Sequence, residues 1–180
     1  MATSDVETQL FGRTVSFGSS GPWMAYWAAF LRLVVGWWFL HAGLTKYAWV
    51  PGGSAFDAAG WMTGATQGTL VHPITAWAAG TPPMLAAANA MVPLGETLIG
   101  LGLIVGCLVR LASFFGVVLM SFFYFGNAAF DHGYVNGDLF GLLLFVTMIV
   151  WGAGRVFGLD AYLERTAFVR NHPRLRYLLG

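Results

Sequence analysis

The sequence contains very little charge. Only 9% of its 180 residues are charged, whereas soluble domains carry about 25%. The net charge of +1 provides no basic field, which argues against a nucleic-acid partner. Apolar residues make up 57% of the chain. This composition predicts an integral membrane protein, with the lipid bilayer as its main environment.

Cysteine is equally scarce. Cys107 is alone, which excludes an internal disulfide, a CxxC redox pair and a CxxCH haem attachment. It lies in an apolar run, which is typical of a small buried hydrophobic residue. The chain also lacks a Walker A loop, a dinucleotide fingerprint and a nucleophile elbow. His41 and His132 have no companions at metal-ligand spacing, so the sequence offers no haem, flavin or metal motif.

Four apolar runs are long enough to cross a bilayer, which takes roughly 20 residues. We therefore predict an all-α fold, an integral membrane four-helix bundle with spans at about 23–47, 85–108, 111–130 and 137–156. The membrane domain then covers residues 23–158. A short N-terminal tail (1–22) precedes it, and a basic C-terminal tail (159–180) follows it. The segment 51–83 is broken by glycine and proline, which predicts an outer interfacial loop with one or two short helices.

The arginines predict the orientation of the bundle. Every arginine outside a span or at the end of one falls on one side of a four-span topology: Arg13, Arg110, Arg155, Arg165, Arg170, Arg174 and Arg176. Positive residues accumulate on the cytoplasmic side of membrane proteins. We therefore expect a multi-pass protein of the cell membrane with both termini in the cytoplasm.

The first span carries cations at positions where a membrane helix normally has apolar side chains. Arg32, Gly36, Phe39, Gly43 and Lys46 recur at helical spacing and fall within roughly 80° of arc. A cation facing lipid would cost several kcal/mol, so this stripe is predicted to face protein. The glycines would let a neighbouring helix approach closely. His41 falls on the opposite side of the helix.

These cations need partners. Glu96 lies near the middle of the second span, and residue counting places it about 7 Å from the depth of Arg32. Arg32–Glu96 is therefore predicted as a buried pair. Near the outer end, Lys46 faces a second set of polar candidates that would meet at one depth: Asn127, Asp131, His132, Asn136 and Asp138.

Three interpretations of this polar constellation are open. The buried ion pairs could fix helix register without any chemistry. Alternatively, a polar pocket open to the outer leaflet could hold a quinone headgroup or a proton. Its candidate residues are Arg32, His41, Lys46, Glu96, Asn127 and Asp138, with Trp37, Trp38, Phe39 and Tyr124 as an aromatic wall. No residue is assigned as catalytic. Metal or haem ligation is the third interpretation.

Three stretches carry a family resemblance. The first helix reads RLVVGWWFLHAGLTKY, with an early Arg and a later G-x-x-K. The second reads GETLIGLGLIVGCLVRLAS, with a mid-membrane Glu and a terminal Arg. The last helix and its exit read NGDLFGLLLFVTMIVWGAGRVFGLD. Together they resemble the DoxX/DoxD-like family of four-helix membrane proteins over about residues 23–163, with Arg32, Lys46 and Glu96 as the shared polar positions.

The resemblance implies a function. The best-described type is the DoxD subunit of thiosulfate:quinone oxidoreductase, which passes electrons from thiosulfate to a membrane quinone with a DoxA partner. We therefore expect a membrane subunit of a quinone-linked respiratory redox system, with a quinone as cofactor and DoxA-like or oxidase subunits as partners. The alternative is a non-catalytic accessory or assembly subunit of a respiratory or other membrane complex. A transporter ranks third, since four spans are few and no matching pair of broken helices is visible. Homo-oligomerisation stays open.

Overall fold

The computed structural model of the protein describes residues 4–10, 13–19, 21–127 and 134–180. Four apolar helices make up the body of the fold: α1 (Gly21–Leu44), α3 (Pro82–Val105), α4 (Val109–Asn127) and α5 (Gly137–Trp151). The short helix α2 (His72–Ala79) lies between α1 and α3, and α6 (Asp160–Leu163) and α7 (Ala167–Asn171) follow α5. The predicted all-α membrane bundle is confirmed.

A β-hairpin precedes the bundle. Strand β1 (Ser4–Leu10) pairs antiparallel with β2 (Arg13–Ser19), in a register that places Ser4 opposite Ser19. The hairpin falls within the predicted N-terminal tail, for which the sequence indicates no regular element. The other regular elements of the described chain are helical.

Three of the four long helices satisfy the length and composition of a membrane span. They are residues Pro22–Leu44, Pro82–Val105 and Val109–Asn127, whereas α5 is equally apolar but has only 15 residues. At 1.5 Å per residue, α5 is about 22 Å long. It ends before the predicted boundary at residue 156 because Gly152 adopts a left-handed conformation (φ 60°), and a 3₁₀ turn, Ala153–Arg155, follows.

The helix ends follow from local sequence. Two prolines, Pro82 and Pro83, open α3, where their missing N–H groups leave no hydrogen bond unmade. Gly106 closes α3 with φ 72°. The side chain of Asn136 caps α5 by accepting from the Leu139 amide at 2.9 Å. The predicted third span extended to residue 130, but residues 128–130 lie outside the described part of the chain.

The core lies where the four long helices meet. Phe39 of α1 and Phe145 of α5 pack edge to face with ring centroids 4.7 Å apart. Leu103, Met120 and Met148 belong to the same buried cluster. By contrast, large apolar side chains cover the outside of the bundle, among them Trp37, Leu98, Phe114, Phe122, Phe140 and Val150. An apolar exterior of this extent suits a lipid environment.

The segment between α1 and α3 is folded. It contains a π-helix, Trp61–Ala65, followed by α2. The hydroxyl of Thr66, which is fully buried, lies 3.0 Å from both Thr75 Oγ1 and His72 Nδ1. The Asn89 side chain of α3 accepts from the amide of Ala58 at 2.7 Å. These hydrogen bonds tie the segment to itself and to α3.

Glycines set the distance between α1 and α3. A Cβ added to Gly36 would lie 3.0 Å from the amide nitrogen of Ile104, and one added to Gly43 would lie 2.5 Å from that of Thr97. A Cβ on Gly100 would overlap the backbone nitrogen of Leu40. The two backbones therefore touch, and the predicted protein-facing stripe of α1 is confirmed: Arg32, Gly36, Phe39 and Gly43 are buried.

We expect Gly100→Ala to destabilise the bundle by about 1–3 kcal/mol, because the added methyl group meets backbone that cannot move aside without separating the helices. Gly95→Ala is the matched control on the same helix, since a Cβ there has nothing within 4 Å. It should be neutral or slightly stabilising. Thermal unfolding of both variants in one detergent measures the difference, and equal melting temperatures would show that the close approach is not needed.

Candidate functional site

Lys46 and Glu96 form an ion pair. Lys46 lies in the turn just beyond α1, and its Nζ is 2.5 Å from Glu96 Oε2 on α3. The same Nζ donates to the Ala42 carbonyl at 3.1 Å and lies 5.6 Å from the ring centroid of Phe56. The side chain of Glu96 is only 5% exposed, against 23% for Lys46. The carboxylate is therefore the more deeply buried partner.

The predicted Arg32–Glu96 pair is wrong. The prediction assumed that α1 and α3 end at the same outer level, but Gly43 near the end of α1 packs against Thr97. Consequently α3 continues for roughly 16 Å beyond α1, from Pro93 back to Pro82. This stagger brings Glu96 to the end of α1, where Lys46 is, and leaves Arg32 near the other end of α3.

Arg32 is bound by backbone carbonyl groups instead. Its Nη1 donates to the carbonyls of Ala153 and Val156 at 2.9 and 3.0 Å, and its Nη2 donates to that of Phe157 at 3.2 Å. The residue is only 2% exposed. Gly106 and Gly158 make room for it, since a Cβ on either would lie within 2.7 Å of Nη1. The cation thus joins α1 to the exit of α5.

Asp160 anchors the same region from the other side. Its Oδ1 accepts from the Leu108 amide at 2.7 Å, and its Oδ2 accepts from the amides of Val109 and Gly180 at 3.0 Å each. The carboxylate therefore caps α4, where Leu108 has φ 53°, and it holds the C-terminal segment against α4. We call this end of the bundle, with Arg110 and residues 152–180, the arginine-rich end.

A cavity of about 100 Å³ adjoins the Lys46–Glu96 pair. Two carboxyl groups, Glu96 and Asp138, contribute to its lining, and Trp38, Phe39 and Phe123 supply aromatic walls. Four of these five residues are candidates predicted from the sequence, and Phe123 occupies the position predicted for Tyr124. The cavity thus combines an apolar enclosure with two groups that can carry protons.

Asn127 reaches this cavity through Asp138. Its amide nitrogen donates to Asp138 Oδ2 at 2.9 Å, and its carbonyl oxygen accepts from the indole N–H of Trp61 at 2.7 Å. The ring of Trp61 lies over Gly126 at the end of α4. Sequence reasoning missed Trp61, because only its general suitability for the membrane interface was visible.

The other predicted residues lie elsewhere. His41 is exposed, and its ring centroid is 6.0 Å from that of Trp37. Neither residue is part of the cavity lining, and Arg32 belongs to the arginine-rich end. The hydroxyl of Tyr124 donates to the Tyr134 carbonyl at 2.8 Å. Asp131 and His132 fall outside the described residues. Within the described ranges, no group of three or more His, Cys, Asp or Glu side chains could hold a metal ion.

These features define a class: a multi-pass α-helical membrane protein with a small carboxyl-bearing cavity among its four long helices. Within this class, a family model described as "TQO small subunit DoxD" matches residues 27–179. The match spans most of the chain, so the chain belongs to the DoxD family, and the resemblance found in the sequence is confirmed. Comparisons with curated proteins and with solved structures gave no match.

Proposed function

We propose that this protein is a membrane subunit of a quinone-linked respiratory redox system, of the thiosulfate:quinone oxidoreductase type. The family match supports this proposal, since TQO denotes that enzyme. A DoxA-like subunit would be the partner, and both termini would lie in the cytoplasm, as the arginines indicate. The observation that carries the proposal is the cavity with Glu96 and Asp138.

The residues around this cavity fit the headgroup of a quinone in chemical type. Quinone sites are apolar slots with a few polar groups, and aromatic rings flank the two carboxyl groups here. A bound quinone would supply the electron-accepting chemistry, in which it takes up two electrons and two protons. The electrons would come from thiosulfate through the partner.

The chain itself would handle the protons. Glu96 and Asp138 can each hold and pass one proton at a carboxyl oxygen. Lys46 holds the Glu96 side chain in place with its 2.5 Å contact, and Asn127 does the same for Asp138 at 2.9 Å. Asp138 and Asn127 lie near the outer end of α4 and α5, so they offer the shorter route to water.

Asp138→Asn tests this role because it preserves side-chain volume. We expect it to lower the rate of thiosulfate-dependent reduction of a quinone analogue by about 100-fold or more, the contribution of a general acid. Asp57→Asn is the control, since Asp57 is exposed and lies outside the cavity. The measurement is quinone reduction by the purified complex, alongside melting curves of each variant. Equal rates in the parent and in Asp138→Asn would remove Asp138 from the proton path.

A second candidate function is a non-catalytic accessory or assembly subunit, and one observation favours it. The cavity of about 100 Å³ is smaller than a typical ligand site of about 300–1,000 Å³. It is also smaller than a cavity of about 150 Å³ that admits benzene, so a quinone ring would enter only if the walls moved. Purification in mild detergent distinguishes the two functions: bound quinone favours the first, and an intact partner complex without quinone or quinone reduction favours the second.

A further inference from the structure

A second, larger cavity lies at the arginine-rich end. Its volume is about 430 Å³, which falls within the size range of ligand sites, about 300–1,000 Å³. The segment from Arg155 to Arg165 forms it, with Phe157 and Tyr162 between the two arginines. It shares no lining residue with the cavity beside Glu96. The proposed redox function does not use it.

The buried Arg32 shapes the wall of this cavity. Its guanidinium binds the carbonyls of Val156 and Phe157, so these two carbonyl groups point towards the interior of the bundle. Phe157 adopts φ 51°, which is unfavourable for a bulky residue, and the residue is 74% exposed. Its ring stacks on that of Tyr26 with centroids 5.9 Å apart. An aromatic pair therefore stands at the surface beside the two arginines.

The charges around the cavity are mostly positive. Arg155 forms hydrogen bonds of 2.8–3.1 Å with the Glu164 carboxylate, and these bonds hold the pKa of Glu164 below its ordinary value. Arg110 and Arg176 also act on Glu164 electrostatically. Arg165 also lines the cavity, and the buried Asp160 acts on Arg155, so four arginines stand against two carboxylates here. The site thus retains a net positive charge and would attract an anion.

The surroundings of the cavity are apolar and aromatic. On α1, Trp23, Tyr26 and Trp27 are all more than half exposed, and so are Phe157 and Tyr162. Tryptophan and tyrosine concentrate at the headgroup level of a bilayer. An anion bound here would therefore lie at the membrane interface, with apolar side chains beside it. A soluble anion has no apolar part that would use these side chains.

We propose that this cavity binds the phosphate headgroup of an anionic phospholipid. Arg165 and the exposed part of Arg155 contact the phosphate, and the Tyr162 hydroxyl donates to it. Phe157 and Tyr26 lie against the upper part of the acyl chains. Basic pockets at the cytoplasmic surface of membrane helices are suited to such headgroups, and the arginine distribution predicts that this end is cytoplasmic.

The test compares two arginines that carry the same charge. Arg165 lines the cavity, whereas Arg174 is exposed and does not line it. Purified full-length parent, Arg165→Gln and Arg174→Gln are titrated with phosphatidylglycerol, and binding is followed by native mass spectrometry and thermal shift. We expect Arg165→Gln to bind at least tenfold more weakly than the parent, with Arg174→Gln close to the parent. Arg165→Lys keeps the charge and should retain part of the affinity.

Two further arms identify the source of the phosphate. Phosphatidylcholine with the same acyl chains should bind weakly to all variants, and glycerol phosphate should give no thermal shift at concentrations where the lipid saturates. Equal loss in Arg165→Gln and Arg174→Gln would overturn the proposal, since charge alone would then suffice. Equal binding of phosphatidylcholine, or a full shift with glycerol phosphate, would also overturn it. Melting curves in phosphatidylcholine show whether each variant is folded.

Discussion

Replacing Arg32 with methionine should lower the free energy of unfolding by about 3–5 kcal/mol. The guanidinium binds three carbonyls, of Ala153, Val156 and Phe157, and each buried acceptor left without a donor costs about 1–3 kcal/mol. Methionine fills much of the volume but donates nothing. Relief from burying the charge offsets part of the loss, which is why the expected sum is not larger.

The measurement is thermal unfolding in one detergent. For a chain of this size, each kcal/mol shifts the melting temperature by about 2–4 °C, so Arg32→Met should melt roughly 6–20 °C below the parent. Arg32→Lys should fall between the two, because one ammonium group cannot reach all three carbonyls. Arg174→Gln is the control for loss of an exposed arginine. If Arg32→Met melted like the parent, the carbonyl contacts would have no net stabilising effect.

The helical periodicity of α1 predicted which face is buried. A cation and a glycine repeat on one side of a helix exclude lipid from that side, so Arg32, Gly36 and Gly43 had to meet protein. The structure agrees, and the glycines touch α3 as that argument requires. This part of the fold follows from side-chain chemistry alone, without any knowledge of the partner helix.

The partners of the buried cations, by contrast, could not be predicted from the sequence. Counting residues from the ends of two spans assumes that both helices begin at the same depth, and nothing in the sequence reports their stagger. The partners of Arg32 are backbone carbonyls, which every residue possesses, so no residue type marks them. The one available cue was the glycine-rich exit of α5, where Gly158 makes room for the guanidinium.

The residues that line the cavity were predicted more completely than the ion pairs. The cavity brings together Glu96, Asp138, Trp38 and Phe39, all of which were candidates from the sequence. Glu96 meets Asp138 because the stagger of α1 and α3 places Glu96 at the end of α1, beside the start of α5. Phe123 replaced Tyr124, since a shift of one residue on a helix turns a side chain by about 100°. His41 lies on the side of α1 that the periodicity indicated, opposite the buried stripe, and it is exposed.

Helix α1 is therefore held at its middle and at its C-terminal end by different means. Lys46 binds the carboxylate of α3 just beyond the C-terminal end of the helix, and Arg32 binds the backbone after α5. Between them, the glycines hold α1 and α3 in contact. A shift of α1 along the bundle by one turn, about 5.4 Å, would break the Lys46–Glu96 ion pair and the hydrogen bonds of Arg32 at once. Register and cavity shape thus depend on the same two cations.

Breaking the Lys46–Glu96 pair should have unequal effects, depending on which partner is removed. Lys46→Met leaves a carboxylate that is 5% exposed, and we expect a loss of about 3–5 kcal/mol, as for a buried orphan charge. Glu96→Gln leaves an ammonium group that is 23% exposed and still donates to the Ala42 carbonyl, so the loss should be smaller, about 1–3 kcal/mol.

A double mutant tests this expectation. Lys46→Met combined with Glu96→Leu removes both charges and should recover much of the stability lost in Lys46→Met, because apolar pairs often replace buried ion pairs without loss. The more exposed pair Arg155–Glu164, with side chains 45% and 21% exposed, supplies the control within the same chain, where Glu164→Gln should change stability by about 1 kcal/mol or less. Unfolding of all variants is compared in one detergent. If Lys46→Met and Glu164→Gln proved equally mild, Glu96 would be solvated in the folded protein, and its pair with Lys46 would not fix the register of α1.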